Sequence, residues 1–428
     1  MNLLRTLSVN LFVFLLVLST PALLRADILV ISKKTLGNVS SKFRDAIEKR
    51  SVEANRTAGL LAITTGKTIA ECHYELAQGI VASEKAPEKA VELVQHLRGA
   101  AKDQKNASIC HRYLGEILFV AGEFKEAAEE LKLVADEAGE LRLLYARTLL
   151  ALNRVPDARK EAQQASKELV NLARNEKPGS KAELYWLDSL EFLEDFKTIE
   201  KHLLTRERQG EKFASELIHS FYFRWSQYLS QRKEWGTSFE KALVAYKRNS
   251  NAESHWARLL QAIVDLQQLE VQRRVALCTP LEELSFSNGK GFQLGSTLCE
   301  VQCYGVGLEL LGRVYEQKPQ DLGVLNNLAH YTAAPKDGDL DLALKYANEL
   351  VENAGKKTQF WETRGQIYAK RGEWGKAKKD LMFARKALPE HPELYLTLST
   401  VCKMLNEHEL SDLFKDRFEA LAKKRKLQ

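Results

Sequence analysis

Two short stretches, ECHYELA from Glu71 and ICHRYLG from Ile109, each set a cysteine beside a histidine: Cys72-His73 and Cys110-His111. Thiolate and imidazole donors from two packed helices are the ligand types of a tetrahedral zinc site. Neighbouring residues on a helix diverge by about 100°, so convergence of all four is awkward. A Cys72–Cys110 disulfide needs Cα atoms about 4.4 to 6.8 Å apart, whereas packed helix axes stand about 8 to 10 Å apart. Plain packing is the expectation for this pair. Cys278, Cys299 and Cys303 lie close in sequence but follow no motif, and they read as buried small apolar residues.

Other tempting groups have equally plain readings. The glycine-rich NGKGFQLG (Asn288 to Gly295) follows no strand and lacks the spacing of either nucleotide fingerprint, so it is expected to be a loop between structural units. Asp337, Asp339 and Asp341 alternate like the start of a calcium loop. No glycine follows at the required place, and position twelve is Asn348, so a turn with a helix cap is expected. Lys423 to Lys426 (KKRK) suits the last turn of a solvated helix, where cations meet the helix dipole favourably. There is no HExxH, GxSxG, P-loop or paired CxxC. A non-catalytic protein with no cofactor is the expectation, and a metal-dependent enzyme is the minor alternative.

The elements carrying these residues follow a helical rhythm. In WETRGQIYAKRGEWGKAKKDLMFARKALPEHPE, Trp361, Arg364, Gly365 and Tyr368 share one helix face. Gly372 breaks the helix, and Trp374, Ala377, Leu381 and Ala384 share the face of a second. Gly365 and Ala377 are small where two helices would approach closely, and Pro389 ends the pair. The stretch resembles the 34-residue tetratricopeptide repeat, with Arg364 in place of the usual Leu and Leu381 in place of the usual Phe.

With the column of Gly365 as anchor, the unit recurs at Ala77, Gly115, Ala146, Leu187, Ser226, Leu260, Gly295, Ala329 and Ser399. A second small residue follows as Ala90, Ala127, Ala158, Ser238, Gly307, Ala343 and Ser411. Leu187 pairs instead with Ile199, and Leu260 with Gln272. All six tryptophans, 186, 225, 235, 256, 361 and 374, fall on framework columns. A lone helix pair cannot bury its apolar faces, so the units must stack. The expected fold is all-α, a right-handed α-solenoid of about ten stacked helix-turn-helix repeats resembling the tetratricopeptide family.

The expected organisation is a leader over 1–26, a capping segment over 27–65, and repeats over 66–177, 178–280 and 281–428, the last group ending in the basic tail. Pro178-Gly179 and the stretch from Cys278 to Gly291 interrupt the helical pattern between these groups. Arg5 precedes the apolar run Leu7 to Leu18, which is followed by Ser19, Thr20 and Pro21 and then ALLRA ending at Ala26; cleavage there would put Leu24 where a small residue is usual. This is the layout of a secretory signal or an uncleaved anchor, so an exported, periplasmic or membrane-anchored protein is expected. The membrane would be met only through that segment. The net charge of +6, from 63 basic and 57 acidic residues spread along the chain, is too diffuse for a nucleic-acid partner.

In proteins of the resembled family the first helix of each unit lines a groove. Mapped onto this chain, those columns hold Phe223, Gln227, Gln261, Asn326, His330, Gln359, Glu362, Gln366, Leu396 and Thr400. The set is polar and nearly neutral, unlike the Lys, Asn and Arg set with which the family clamps an acidic peptide terminus. Its amides suit an extended peptide backbone, with Phe223 and Leu396 as apolar contacts. The expectation is a scaffold or adaptor for protein or peptide partners in the cell envelope, or else an accessory subunit of an envelope enzyme complex.

Overall fold

The structure, a computed structural model, describes residues 54–65, 67–82, 90–284, 286–355 and 357–426. The expected leader and most of the capping segment lie outside them. Residues 54–65 are helical. Twenty further α-helices then form ten consecutive pairs, and no strand occurs among the described residues. The pairs are α1 (Ile69–Ala82) with α2 (Ala90–Ala100), α3 (Ala107–Ala121) with α4 (Phe124–Lys132), and α5 (Gly139–Ala151) with α6 (Val155–Asn175). Next come α7 (Lys181–Phe192) with α8 (Phe196–Arg208), α9 (Lys212–Gln231) with α10 (Trp235–Arg248), and α11 (Glu253–Asp265) with α12 (Val271–Cys278). The last four are α13 (Asn288–Glu300) with α14 (Tyr304–Gln317), α15 (Leu322–Thr332) with α16 (Leu340–Ala354), α17 (Trp361–Lys370) with α18 (Trp374–Ala384), and α19 (Pro392–Met404) with α20 (His408–Lys426). The chain divides into two compact units at Phe221/Tyr222, within α9.

Local chemistry starts and stops these helices. Thr68 and Glu71 form a reciprocal capping box at the head of α1: the Glu71 N–H donates to Thr68 Oγ1, and the Thr68 N–H donates to Glu71 Oε2. Asp321 and Asp339 each accept two backbone N–H groups at the starts of α15 and α16, so Asp339 is the cap expected of its acidic stretch. Within seven pairs the turn is the same. The residue seven after the anchor is left-handed, with φ between 61° and 83°: Gly122, Asn153, Glu194, Lys233, Gln302, Gly372 and Asn406. The next N–H then returns to a carbonyl five residues back, at 2.8 to 2.9 Å, as from Glu373 to Tyr368 and from Cys303 to Leu298. This closure satisfies carbonyls that a helix end leaves open.

Glycine is free of the Cβ clash that costs other L-residues about 1–2 kcal/mol in the left-handed region, although it loses about 0.5–1 kcal/mol of chain entropy. Lys233→Gly with Gln302→Gly is therefore expected to raise the stability of the second unit by about 1 kcal/mol, read as a higher urea midpoint.

Every anchor falls on the first helix of its pair and every partner residue on the second. The smallest pairs give the closest approach. A Cβ on Gly307 would sit 2.8 Å from the Gly295 carbonyl oxygen and 2.5 Å from Cys299 Sγ. Ser226 and Ser238 exchange hydroxyl-to-carbonyl bonds of 2.8 and 2.9 Å across α9 and α10. A Cβ on Gly365 would stand 2.7 Å from Leu381 Cγ, so the leucine that replaces the family's phenylalanine is packed directly against the anchor. Trp225 and Trp256 are buried and the other four tryptophans half-buried, as framework residues should be. Apolar clusters run from one pair into the next, such as the one joining α10 to α14, so no pair owns a core.

Where a column departs from its usual residue, ion pairs take over. Arg364 donates to both oxygens of Asp380, which is buried on α18, at 2.6 and 3.1 Å. In the α7/α8 pair, where Leu187 and Ile199 are large, Glu183 is fully buried and gathers His202 Nε2 at 2.6 Å, Arg206 Nε at 2.9 Å and the Gly179 N–H at 2.6 Å. Two expectations are corrected. Gln272 is exposed, and Arg274 and Cys278 are the buried residues of α12, because the 3₁₀ turn Leu266–Gln268 extends α11 and shifts the register. The segment Asn288 to Gly295 is not a loop: it forms the first two turns of α13, with Gly295 in the close helix contact.

Candidate partner groove

The paired Cys-His motifs do not converge. His73 Nδ1 lies 2.9 Å from His96 Nδ1, and its Nε2 is 3.3 Å from Asn55 Oδ1. His111 instead meets Glu130 at 2.6 Å. Burial, and then the charge of His96, hold His73 down to about 4, so it is neutral at ordinary pH. Among the described residues no three His, Cys, Asp or Glu side chains are grouped to hold a metal. All six cysteines are free and buried. Burial pushes Cys110 up to about 11 and Cys299 up to about 12. Cys278 and Cys303 share a hydrogen bond, which raises the Cys278 thiol and lowers that of Cys303. Lys424 of the basic tail pairs with Glu390 at 3.2 Å.

First helices of successive pairs touch one another. In the second unit α11, α13, α15, α17 and α19 form such a row, and in the first unit α3, α5 and α7 do. Gln261, Asn326, His330, Glu362, Gln366, Leu396 and Thr400 sit on this row, Phe223 and Gln227 lie before it on α9 and Gln359 on the turn ahead of α17, and polar contacts join α13, α15, α17 and the start of α19. Asn327 Nδ2 donates to Ser296 Oγ at 2.7 Å, joining α15 to α13. Thr363 Oγ1 donates to Asn326 Oδ1 at 2.7 Å, joining α17 to α15, and the Lys370 ammonium donates to the Ala333 carbonyl. His391, just before α19, lies 3.0 Å from Glu362. Burial pushes the Glu362 carboxyl up, while His391 acts against it.

The ten residues differ in what they leave for a ligand. Leu396 is exposed, and Thr400 spends its hydroxyl on the Leu396 carbonyl at 3.1 Å. Gln366 donates to Glu362 and Gln261 to Asp265, at 3.0 and 2.9 Å, so each amide keeps its carbonyl side. Gln227 is half-buried on α9, and Gln359 stands on the 3₁₀ turn Thr358–Phe360 ahead of α17. Phe223 stacks on His255, with ring centroids 5.1 Å apart, so its face is already covered. His330 is exposed on α15, and partial desolvation with the Lys370 charge lowers its pKa. Column mapping alone misses Thr363, Asn327 and His391: the first two stand beside mapped positions and reach across to the adjacent helix, and His391 lies ahead of α19, outside the mapped columns.

No protein-family profile matches the chain, and no curated protein matches it. Among solved structures it is similar to MamA from AMB-1, at 14% identity over 40% of this chain and 94% of that one, with a TM-score of 0.28. It is similar to YrrB, described as a TPR protein with an unusual peptide-binding site, at 19% identity over 40% and 87% of the two chains, TM-score 0.28. A third is the C-terminal part of a TPR repeat-containing protein from Cytophaga hutchinsonii, at 12% identity over 47% and 80%, TM-score 0.32.

Proposed function

We propose that this tetratricopeptide-like array is a non-catalytic scaffold that holds a protein or peptide partner along its row of first helices. The observation that carries the reading is the second unit's row itself. Asn326 on α15 is held by the cross-helix hydrogen bond from Thr363, Gln366 and Glu362 are hydrogen-bonded to each other one turn apart on α17, His391 ahead of α19 lies against Glu362, and Leu396 of α19 is exposed. Side chains positioned in advance lose little freedom on binding, and amides offer both donor and acceptor to an extended backbone. Export to the cell envelope belongs to the same proposal and is supported by Arg5 and the apolar run Leu7 to Leu18.

The test is photo-cross-linking in the source cells, with the reactive group at Leu396 of the full chain. A discrete adduct is expected, and Asn326→Ala with Gln359→Ala and Gln366→Ala should lower its yield at least tenfold while leaving the circular dichroism melt unchanged. An undiminished adduct in a folded triple variant overturns the groove.

A further inference from the structure

The first unit holds a second polar cluster where α3, α5 and α7 meet. Glu116 on α3 is 8% exposed, and Arg112, one turn earlier, donates to its Oε1 at 3.1 Å. Its other oxygen, Oε2, is buried and has no hydrogen-bond partner. Arg147 on α5 gives its terminal nitrogen to Asp188 on α7, and its Nε is likewise buried and unpartnered. Glu140 at the start of α5 acts by charge on Glu116 and Arg112, and Tyr185 on α7 feels Glu140, Glu116, Asp188 and Arg112 together. Three carboxylates, Glu116, Glu140 and Asp188, thus face two guanidiniums. A buried carboxylate oxygen without a donor is costly. Burial, opposed by Arg112, pushes the Glu116 carboxyl up, as expected for an acid short of donors.

We propose that this cluster receives a basic side chain, arginine or lysine, of the bound partner, with Glu116 Oε2 accepting its N–H and Glu140 supplying the second negative charge. A cation bearing N–H donors gives the orphan oxygen a charge-assisted hydrogen bond. An anion or an apolar group would give the orphan oxygen no donor and leave it unpaired. The proposal rests on the partner-binding reading above but uses a different unit and different residues.

The test titrates the full chain, followed by NMR, with three blocked pentapeptides: acetyl-Ala-Ala-Arg-Ala-Ala amide, its lysine analogue, and its citrulline analogue. Citrulline keeps the shape of arginine without its charge. The arginine or lysine peptide should bind at least tenfold more tightly than the citrulline one. Glu116→Gln should remove that preference without lowering the melting temperature, because the amide keeps the shape and removes a desolvated charge. Glu140→Gln, at a half-buried site, should weaken the basic peptide about fivefold. Equal binding of citrulline, no binding of any peptide, or an undiminished preference in Glu116→Gln overturns the proposal. The Asn326, Gln359 and Gln366 triple variant should bind the arginine peptide as the wild type does, so the two readings fail separately.

Discussion

Asp380→Ala should lower the stability of the second unit by about 3–5 kcal/mol, the range for removing one member of a buried ion pair. Arg364 occupies a column that usually holds an apolar residue, and its side chain is only 19% exposed. Its charge is supportable because Asp380, 5% exposed, accepts from two of its nitrogens and Asn348 Oδ1 accepts from a third at 3.3 Å. Alanine leaves that charge inside the α17/α18 pair with one weak acceptor. The companion variant Arg364→Leu with Asp380→Ala removes both charges and restores the family's usual leucine. It should recover most of the loss, since apolar replacements of buried pairs are often neutral or better. Chemical unfolding followed by tryptophan emission reads both, through Trp361 and Trp374 of the same pair. A single variant within about 1 kcal/mol of wild type would show that the pair is too wet to matter.

Glu183→Ala should have an effect of similar size in the first unit, about 3–5 kcal/mol, by freeing two basic groups beneath one fully buried carboxylate. The substitution severs the hydrogen bonds to His202, Arg206 and the Gly179 N–H, so the α7/α8 pair and the link from α6 loosen together. Burial alone would raise the Glu183 carboxyl, but the His202 and Gly179 hydrogen bonds and the Arg206 charge hold it below its ordinary 4.5. A carboxyl depressed in the folded state contributes stability above its unfolded pKa, and that contribution disappears as pH falls through the folded value. Wild type should therefore lose stability more steeply than Glu183→Ala below pH 4.5. Parallel acid titrations of the two proteins would exclude this role for Glu183 if the curves kept a constant separation.

The paired helices are legible in the sequence because close approach leaves a chemical trace. Gly295 with Gly307, and Ser226 with Ser238, are small where anything larger would meet backbone. The left-handed turns are less legible. Gly372 announces its conformation, whereas Glu194, Lys233 and Gln302 adopt the same one with no compositional sign. The α11/α12 pair departs from the expected register because one extra 3₁₀ turn moves the positions of α12. Burial of Arg274 depends on carbonyls from elsewhere, those of Leu269 and Val301. Asn288 to Gly295 misleads for a related reason: its glycines serve helix packing, and composition alone cannot distinguish that from loop freedom. Groove positions can be placed on the correct helices, but their availability cannot. Phe223 is spent on His255, and Asn326 on Thr363, through contacts between residues more than thirty apart in sequence. The first unit's cluster also lies on first helices, but nothing in the sequence shows which of its charges lose water.

The burial of all six cysteines bears on how the protein survives its surroundings. Thiols react as thiolates at sites that oxidants can reach, and sulfurs buried inside helix contacts are out of reach of dissolved oxidants once the chain has closed. Before closure all six are open to capture. For a chain exported as proposed, the vulnerable period is synthesis and translocation: yield is set by a race between hairpin docking and disulfide capture, and the finished protein should be indifferent to added reductant.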